Sequence, residues 1–128
     1  IGKAECIKRI KGREFVVFNC SKDNIGDICR IKNLPITVVP GGEPECECKE
    51  ADFVGYTCLE HDVMYKGFQG RIAPEDYVVF ENVGGYSNVS KPPFISENCA
   101  MVALKRDGEA RVMKYREKFD DIFRTYVF

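Results

Sequence analysis

Short runs of β-type residues, each closed by turn chemistry, leave this chain few ways to fold. Ala4–Ile10 and Arg13–Cys20 flank Lys11-Gly12 and predict a hairpin with Phe15-Val16-Val17-Phe18 as its buried part. Pro35–Val39 reads as a strand stopped by Pro40-Gly41-Gly42. Phe53–Cys58 and Tyr77–Glu81 follow the same pattern, the second entered through the turn Pro74-Glu75-Asp76. Cys99–Lys105 and Glu109–Val112 bracket Arg106-Asp107-Gly108, a second hairpin signal. Ser21–Asp27 is polar and, with Asn24 and Gly26, reads as a loop; Ile28–Ile31 suits either a strand or a short helix. Only the ending changes period: Tyr115, Phe119, Ile122, Phe123 and Tyr126 fall on one helical stripe, with Asp120, Asp121 and Arg124 on the other face. The expected fold class is all-β, a mainly antiparallel Greek-key barrel or sandwich of roughly eight strands with a short C-terminal helix, because open edges on so small a sheet invite aggregation.

Composition narrows the function classes. At 128 residues the chain is expected to be one domain, residues 1–128, and its start at Ile1 is read as a piece of something longer. Nineteen basic residues against 20 acidic ones give a net charge of −1, which argues against a nucleic-acid surface built on bulk positive charge. No apolar run approaches the roughly 18 residues that span a bilayer, so no membrane partner is expected. Seven cysteines form no regular framework; Cys46-x-Cys48 is the one close pair and His61 the lone histidine. The expectation is no metal site, mostly buried free thiols and a cytoplasmic address. Glu43 to Asp62 is locally acidic, and Glu45–Glu50 within it reads as a solvated loop.

The residues alone name no self-contained enzyme. There is no Walker loop, no G-x-G-x-x-G and no H-E-x-x-H, and a lone turn histidine is more often structural than catalytic. Two stretches carry more. Gly55-Tyr56-Thr57-Cys58-Leu59-Glu60-His61-Asp62 packs a glycine, a thiol and two carboxylates directly after a strand. Further on, Phe80-Glu81-Asn82-Val83-Gly84-Gly85-Tyr86 ends a buried strand in paired glycines, suited to positive φ or close approach by a ligand, and a tyrosine.

The first stretch resembles the G-P-x-C-[D/E]-x-x-D motif of the pyridoxal-phosphate-dependent ornithine, diaminopimelate and arginine decarboxylases with the alanine-racemase-like fold. The second resembles their F-E-N-x-G-A-Y segment, and the spacing between the two, Phe94 and the Arg116–Ile122 stretch are similar as well. The resemblance implies the C-terminal β-barrel domain of a larger two-domain enzyme. Its N-terminal (β/α)₈ domain, roughly 250 residues long, carries the Schiff-base lysine and the glycine-rich phosphate site; neither fits in this chain. The implied cofactor is pyridoxal 5'-phosphate. The implied partners are the chain's own N-terminal domain, a second subunit in a homodimer, and an amino-acid or conjugated amino-acid substrate. The implied activity is amino-acid decarboxylation by the complete protein, with the isolated domain inactive.

By the same resemblance, Cys58 enters the partner subunit's site and controls protonation there, against the competing reading of a buried small residue. Tyr86 donates to the cofactor phosphate in its own subunit, against a core tyrosine. Leu59, Glu60, Asp62, Phe94 and Arg30 form the implied substrate-facing set. Asp62 equally suits bracing of the loop, Phe94 packing, and Arg30 the ordinary surface. The departures matter too. Leu59 stands where the ornithine and diaminopimelate enzymes place an acidic residue, Glu60 comes one position later, and Tyr56 replaces the usual proline. Phe15–Cys20 and Asp27–Arg30 are only loosely similar to the F-V-x-x-D-x-G…D-x-x-R-P region. Leu59 points away from simple ornithine, lysine or diaminopimelate as substrate. The alternatives are a non-catalytic dimerisation or regulatory relative and an amino-acid racemase domain.

Overall fold

Turn chemistry sets the first element pair. In the computed structural model, which describes residues 1–42 and 47–127, β1 (Gly2–Ile10) and β2 (Arg13–Phe18) form the expected hairpin. Lys11 and Gly12 both take positive φ, 50° and 80°, the two-residue turn whose twist matches that of the strands. The chain divides into two compact units, Ile1–Lys91 and Pro92–Phe128. The first holds a six-stranded sheet in the order β3-β6-β1-β2-β4-β5, with β3 at Ile36–Val39, β4 at Glu47–Val54, β5 at Val63–Arg71 and β6 at Tyr77–Phe80. Its pairs are antiparallel except β2–β4, which is parallel. β-structure dominates as expected, and the parallel pair is the departure that local patterns do not announce.

Alternation along the strands turns one face inward. Val16, Phe18, Phe53, Met64, Ile72 and Val78 are fully buried, and Phe53 lies 5.0 Å from Phe18 and 4.7 Å from Phe68, centroid to centroid. Each such ring contributes about 1.5–3 kcal/mol by leaving water, and this burial is the main force holding the sheet together. One outer strand is blunted. Asn33, just before edge strand β3, donates through Nδ2 to the Lys66 carbonyl at 2.8 Å and accepts from the Lys66 N–H at 2.9 Å, satisfying backbone groups on the opposite edge strand β5.

Two local expectations change, one left open is resolved, and one strand goes unforeseen. Ser21–Asp27 is not a loop: Ser21 caps α1 (Lys22–Ile25), its Oγ accepting from Asp23 N–H at 3.2 Å while Asn24 Oδ1 accepts from Ser21 N–H at 2.8 Å. Ile28–Ile31 resolves as helical, since Asp27–Arg30 is a single 3₁₀ turn. Glu47–Glu50, read as part of a solvated loop, is the first half of β4 with Cys48 buried, and that strand ends at Val54 rather than Cys58. Residues 43–46 of the acidic stretch, including Cys46, lie outside the described residues. Lastly, β5 is a strand that the pattern hides, because Gly67 and Gly70 with φ of 66° and 144° interrupt its alternation beside register shifts against β4.

The described cysteines are thiols rather than disulfides, as expected, but fewer are buried than the composition suggests. Cys29 and Cys48 are buried, Cys6 and Cys20 half-buried, Cys58 and Cys99 exposed. Among the described residues no helix is long and apolar enough to cross a membrane.

In the second unit β7 (Met101–Leu104) and β8 (Ala110–Lys114) pair across the expected Asp107-Gly108 turn, and α3 (Phe119–Phe123) follows. This helix is shorter than the five-residue stripe implies. Lys118 is its cap, with its N–H donating to Asp121 Oδ2 at 2.9 Å, and Tyr115 stays outside it. Phe119 and Phe123 stack at 4.5 Å. Ahead of the helix, Glu117 N–H donates to the Asn98 carbonyl at 3.0 Å, and Asn98 N–H donates to Glu117 Oε2 at 3.1 Å. The Lys114 ammonium, donating to Glu117 Oε1 at 2.7 Å, and the Asn98 N–H hold the Glu117 carboxyl below the ordinary glutamate value, against a smaller opposing effect of burial. A carboxyl depressed in the folded state stabilises above its unfolded pKa and loses that contribution as pH falls through its folded pKa. The Asn98–Glu117 clasp is therefore expected to weaken as pH falls through the lowered pKa of Glu117, on the acid side of the ordinary glutamate value. Amide exchange at Asn98, followed by NMR on acidification, checks this; protection unchanged after the Glu117 carboxyl has taken up its proton would contradict it.

Candidate functional site

The Gly55–Asp62 loop is built around a buried carboxylate. Gly55 N–H donates to the Asp62 carbonyl at 2.9 Å, and Asp62 N–H donates to the Leu59 carbonyl at 2.9 Å, closing the loop on itself. The Asp62 side chain is only 3% exposed. Its Oδ2 accepts from Thr57 Oγ1 at 2.6 Å and Thr57 N–H at 3.1 Å, and its Oδ1 accepts from Lys22 N–H at 2.7 Å. Burial without those donors would cost several kcal/mol. Glycine at position 55 follows from close approach: a Cβ there would lie 2.2 Å from Asp62 Oδ2. The carboxylate faces inward, while Cys58, Glu60 and His61 are exposed along the loop and Leu59 is half-buried.

Lys22 joins this loop to a cleft of about 520 Å³. Its walls include Lys22, Asp27, Arg30, Gly85, Tyr86 and Lys91. Lys22 is itself 7% exposed, with its ammonium 2.6 Å from Asp23 and 3.6 Å from Asp27. Burial works to lower its pKa, and the hydrogen bond and charge of Asp23, helped by Asp27, outweigh burial and hold it above the ordinary lysine value. Arg30 is exposed, 3.9 Å from Asp27.

Tyr86 stands on the rim of the same cleft. It is 86% exposed and left-handed, with φ 64° and ψ −23°, and it caps α2 (Ser87–Ser90). A bulky residue pays about 1–3 kcal/mol for that backbone, a cost met mostly at functional sites. Gly84, with φ 112°, and Gly85 precede it, and a Cβ added at either would meet nothing within 4 Å. Arg30 and Tyr86, about 55 residues apart in sequence, thus share one cavity. Phe94 belongs to the second unit: it follows Pro92-Pro93, is 40% exposed, and its N–H donates to the Pro92 carbonyl at 2.9 Å. Sequence reading missed Lys22 and Thr57. Thr57 sits inside the recognised motif, so its hydroxyl two residues after Gly55 was the available signal; Lys22 takes part through a backbone N–H, which no residue type marks.

Among solved structures, the fold is that of part of several decarboxylases. Diaminopimelate decarboxylase from Helicobacter pylori, complexed with L-lysine, overlays with a TM-score of 0.80 at 20% identity, covering 97% of this chain and 30% of that one. Diaminopimelate decarboxylase from M. jannaschii, in co-complex with L-lysine, gives 0.80 at 15% identity over 99% of this chain and 29% of that one. Carboxynorspermidine decarboxylase from Campylobacter jejuni, complexed with norspermidine, gives 0.74 at 17% identity over 98% and 37%. The chain therefore spans roughly a third of the length of these enzymes. No family model matches the chain, and none of the curated proteins matches it. The overlays show fold, and they fall on the same group of enzymes that the two motifs resemble.

Proposed function

We propose that this chain is the C-terminal β-domain of a pyridoxal-phosphate-dependent amino-acid decarboxylase, lending Cys58 to the partner subunit's site and Tyr86 to the cofactor of its own. The observation that carries the reading is the joint display of both groups: an exposed thiol on a tightly tied loop, and an exposed, backbone-strained phenol on a cleft that also holds Arg30. The Schiff-base lysine belongs to an N-terminal (β/α)₈ domain, and the isolated β-domain is inactive. Reduced thiols throughout the described residues accord with a reducing, cytoplasmic setting.

The cleft suits a phosphate-bearing group. Tyr86 offers a hydroxyl donor, Arg30, 3.9 Å from Asp27, brings a guanidinium to the same walls, and the open backbone at Gly84-Gly85 leaves room for a ligand beside them. Pyridoxal phosphate, when bound, supplies the electron sink for the bond to the departing carboxylate. The residues of this chain position the reactants and move a proton. Tyr86 Oη donates a hydrogen bond to the phosphate and fixes its place; Cys58 Sγ holds a proton and delivers it to the carbon left by carbon dioxide. Arg30 pairs with an anionic group of substrate or cofactor.

Leu59 sets the substrate class. A leucine cannot neutralise a distal ammonium, and burying one unpaired costs several kcal/mol. The substrate is accordingly an amino acid whose far end carries no free cation at that position, such as a conjugated or carrier-linked one. Assaying the complete protein on ornithine, lysine and diaminopimelate tests this. None is expected to be turned over efficiently, and Leu59→Asp is expected to raise kcat/KM for ornithine by about tenfold to 100-fold, the worth of one charge-assisted hydrogen bond. Efficient decarboxylation of any of the three by the unsubstituted protein would overturn the substrate reading.

A further inference from the structure

We infer that Asp62 is a positioning residue for Cys58, a carboxylate clamp that fixes the thiol-bearing loop to the wall of the cleft; this deepens the function proposed above and rests on it. Asp62 touches both sides. One oxygen takes the Lys22 N–H at the start of α1, and Lys22 is a cleft-lining residue. The other takes the Thr57 N–H and hydroxyl, one residue before Cys58. The Thr57 hydroxyl in turn accepts from Leu59 N–H at 3.4 Å, so the residues on either side of Cys58 are held through one carboxylate. Gly55 leaves room for that carboxylate, since a Cβ there would lie 2.2 Å from Asp62 Oδ2.

The chemistry admits no neutral isostere. Both oxygens face backbone N–H donors, so an asparagine amide must set its own NH₂ against one of them. Asp62→Asn therefore releases either Lys22 or Thr57, and the loop loses its fixed relation to the cleft wall while its exposed residues are untouched. Asp62 acts on the reaction through Cys58 and leaves substrate recognition to the exposed groups of the loop.

The test is a double-substitution cycle on the intact, cofactor-loaded protein, together with amide exchange. Asp62→Asn is expected to lower kcat by about tenfold to 100-fold, the usual penalty for misplacing a reacting group by about 1 Å, with KM nearly unchanged. In a Cys58→Ala background it is expected to add almost nothing, because the group it positions is gone. Exchange at the Thr57 and Lys22 amides should quicken in Asp62→Asn whether or not cofactor is present. Thr57→Val, which removes only the hydroxyl arm, should give a smaller loss with the same non-additivity and keeps the test open should Asp62→Asn fold poorly. Equal losses in both backgrounds, with Cys58 itself needed for turnover, would overturn the clamp alone. A Cys58→Ala protein with unchanged kinetics would overturn the function reading and the clamp with it.

Discussion

Cys58→Ala in the complete protein is expected to cut turnover to the amine product by roughly 10²–10⁴-fold, the range lost when a positioned proton donor is removed. Stability should move by no more than about 0.5 kcal/mol, because the side chain is exposed and makes no packing contribution to the core. Absorbance of the bound cofactor should also survive, since Tyr86 and Arg30 are on other elements and are untouched. This separation of activity from stability and loading is the useful signature. Cys58→Ser keeps a hydrogen-bonding group of similar size but a far weaker acid, so it should fall between the two. Steady-state kinetics with product analysis decides the matter: an alanine variant with unaltered rate and products would return Cys58 to the status of an ordinary surface residue.

What could be read in the sequence divides along the range of the forces involved. Lys11-Gly12 and Asp107-Gly108 announce their hairpins because the turn residues themselves set the backbone there. The β2–β4 parallel pair depends on a crossover through β3 at the far side of the sheet, and no local pattern encodes it. Ser21, Asp23 and Asn24 mislead because residues that favour a loop are also the residues that cap a helix, and Ser21 with Asn24 does the second. In the tail, the apolar period is real, yet Glu117 is hydrogen-bonded to Asn98 and Lys118 is extended, so the helix begins only at Phe119. Of the candidate site, Cys58 and Tyr86 are marked only by motif resemblance. The bond from Asp62 to Lys22 is not marked at all, since it spans 40 residues and ends on a backbone donor.

Tyr86 offers the sharper separation between binding and folding. If Tyr86 holds the cofactor phosphate as proposed, Tyr86→Phe removes one hydrogen bond to a charged group, worth about 1.5–3 kcal/mol, and cofactor retention in the intact protein should weaken by about 10-fold to 150-fold. The ring remains, and with it the backbone, so the melting temperature of the cofactor-free protein should hold. Tyr86→Gly goes further. Its φ of 64° is strained for tyrosine and free for glycine, so this variant should bind cofactor at least as poorly while its apo form melts no lower than wild type. Opposite movement of affinity and stability at one position is what a residue held in strain for ligand contact produces. A tyrosine kept for packing would behave otherwise, with Tyr86→Gly lowering the apo melting temperature and Tyr86→Phe leaving cofactor retention as it was. Equilibrium dialysis against pyridoxal phosphate, paired with thermal unfolding of the apo proteins, distinguishes the two.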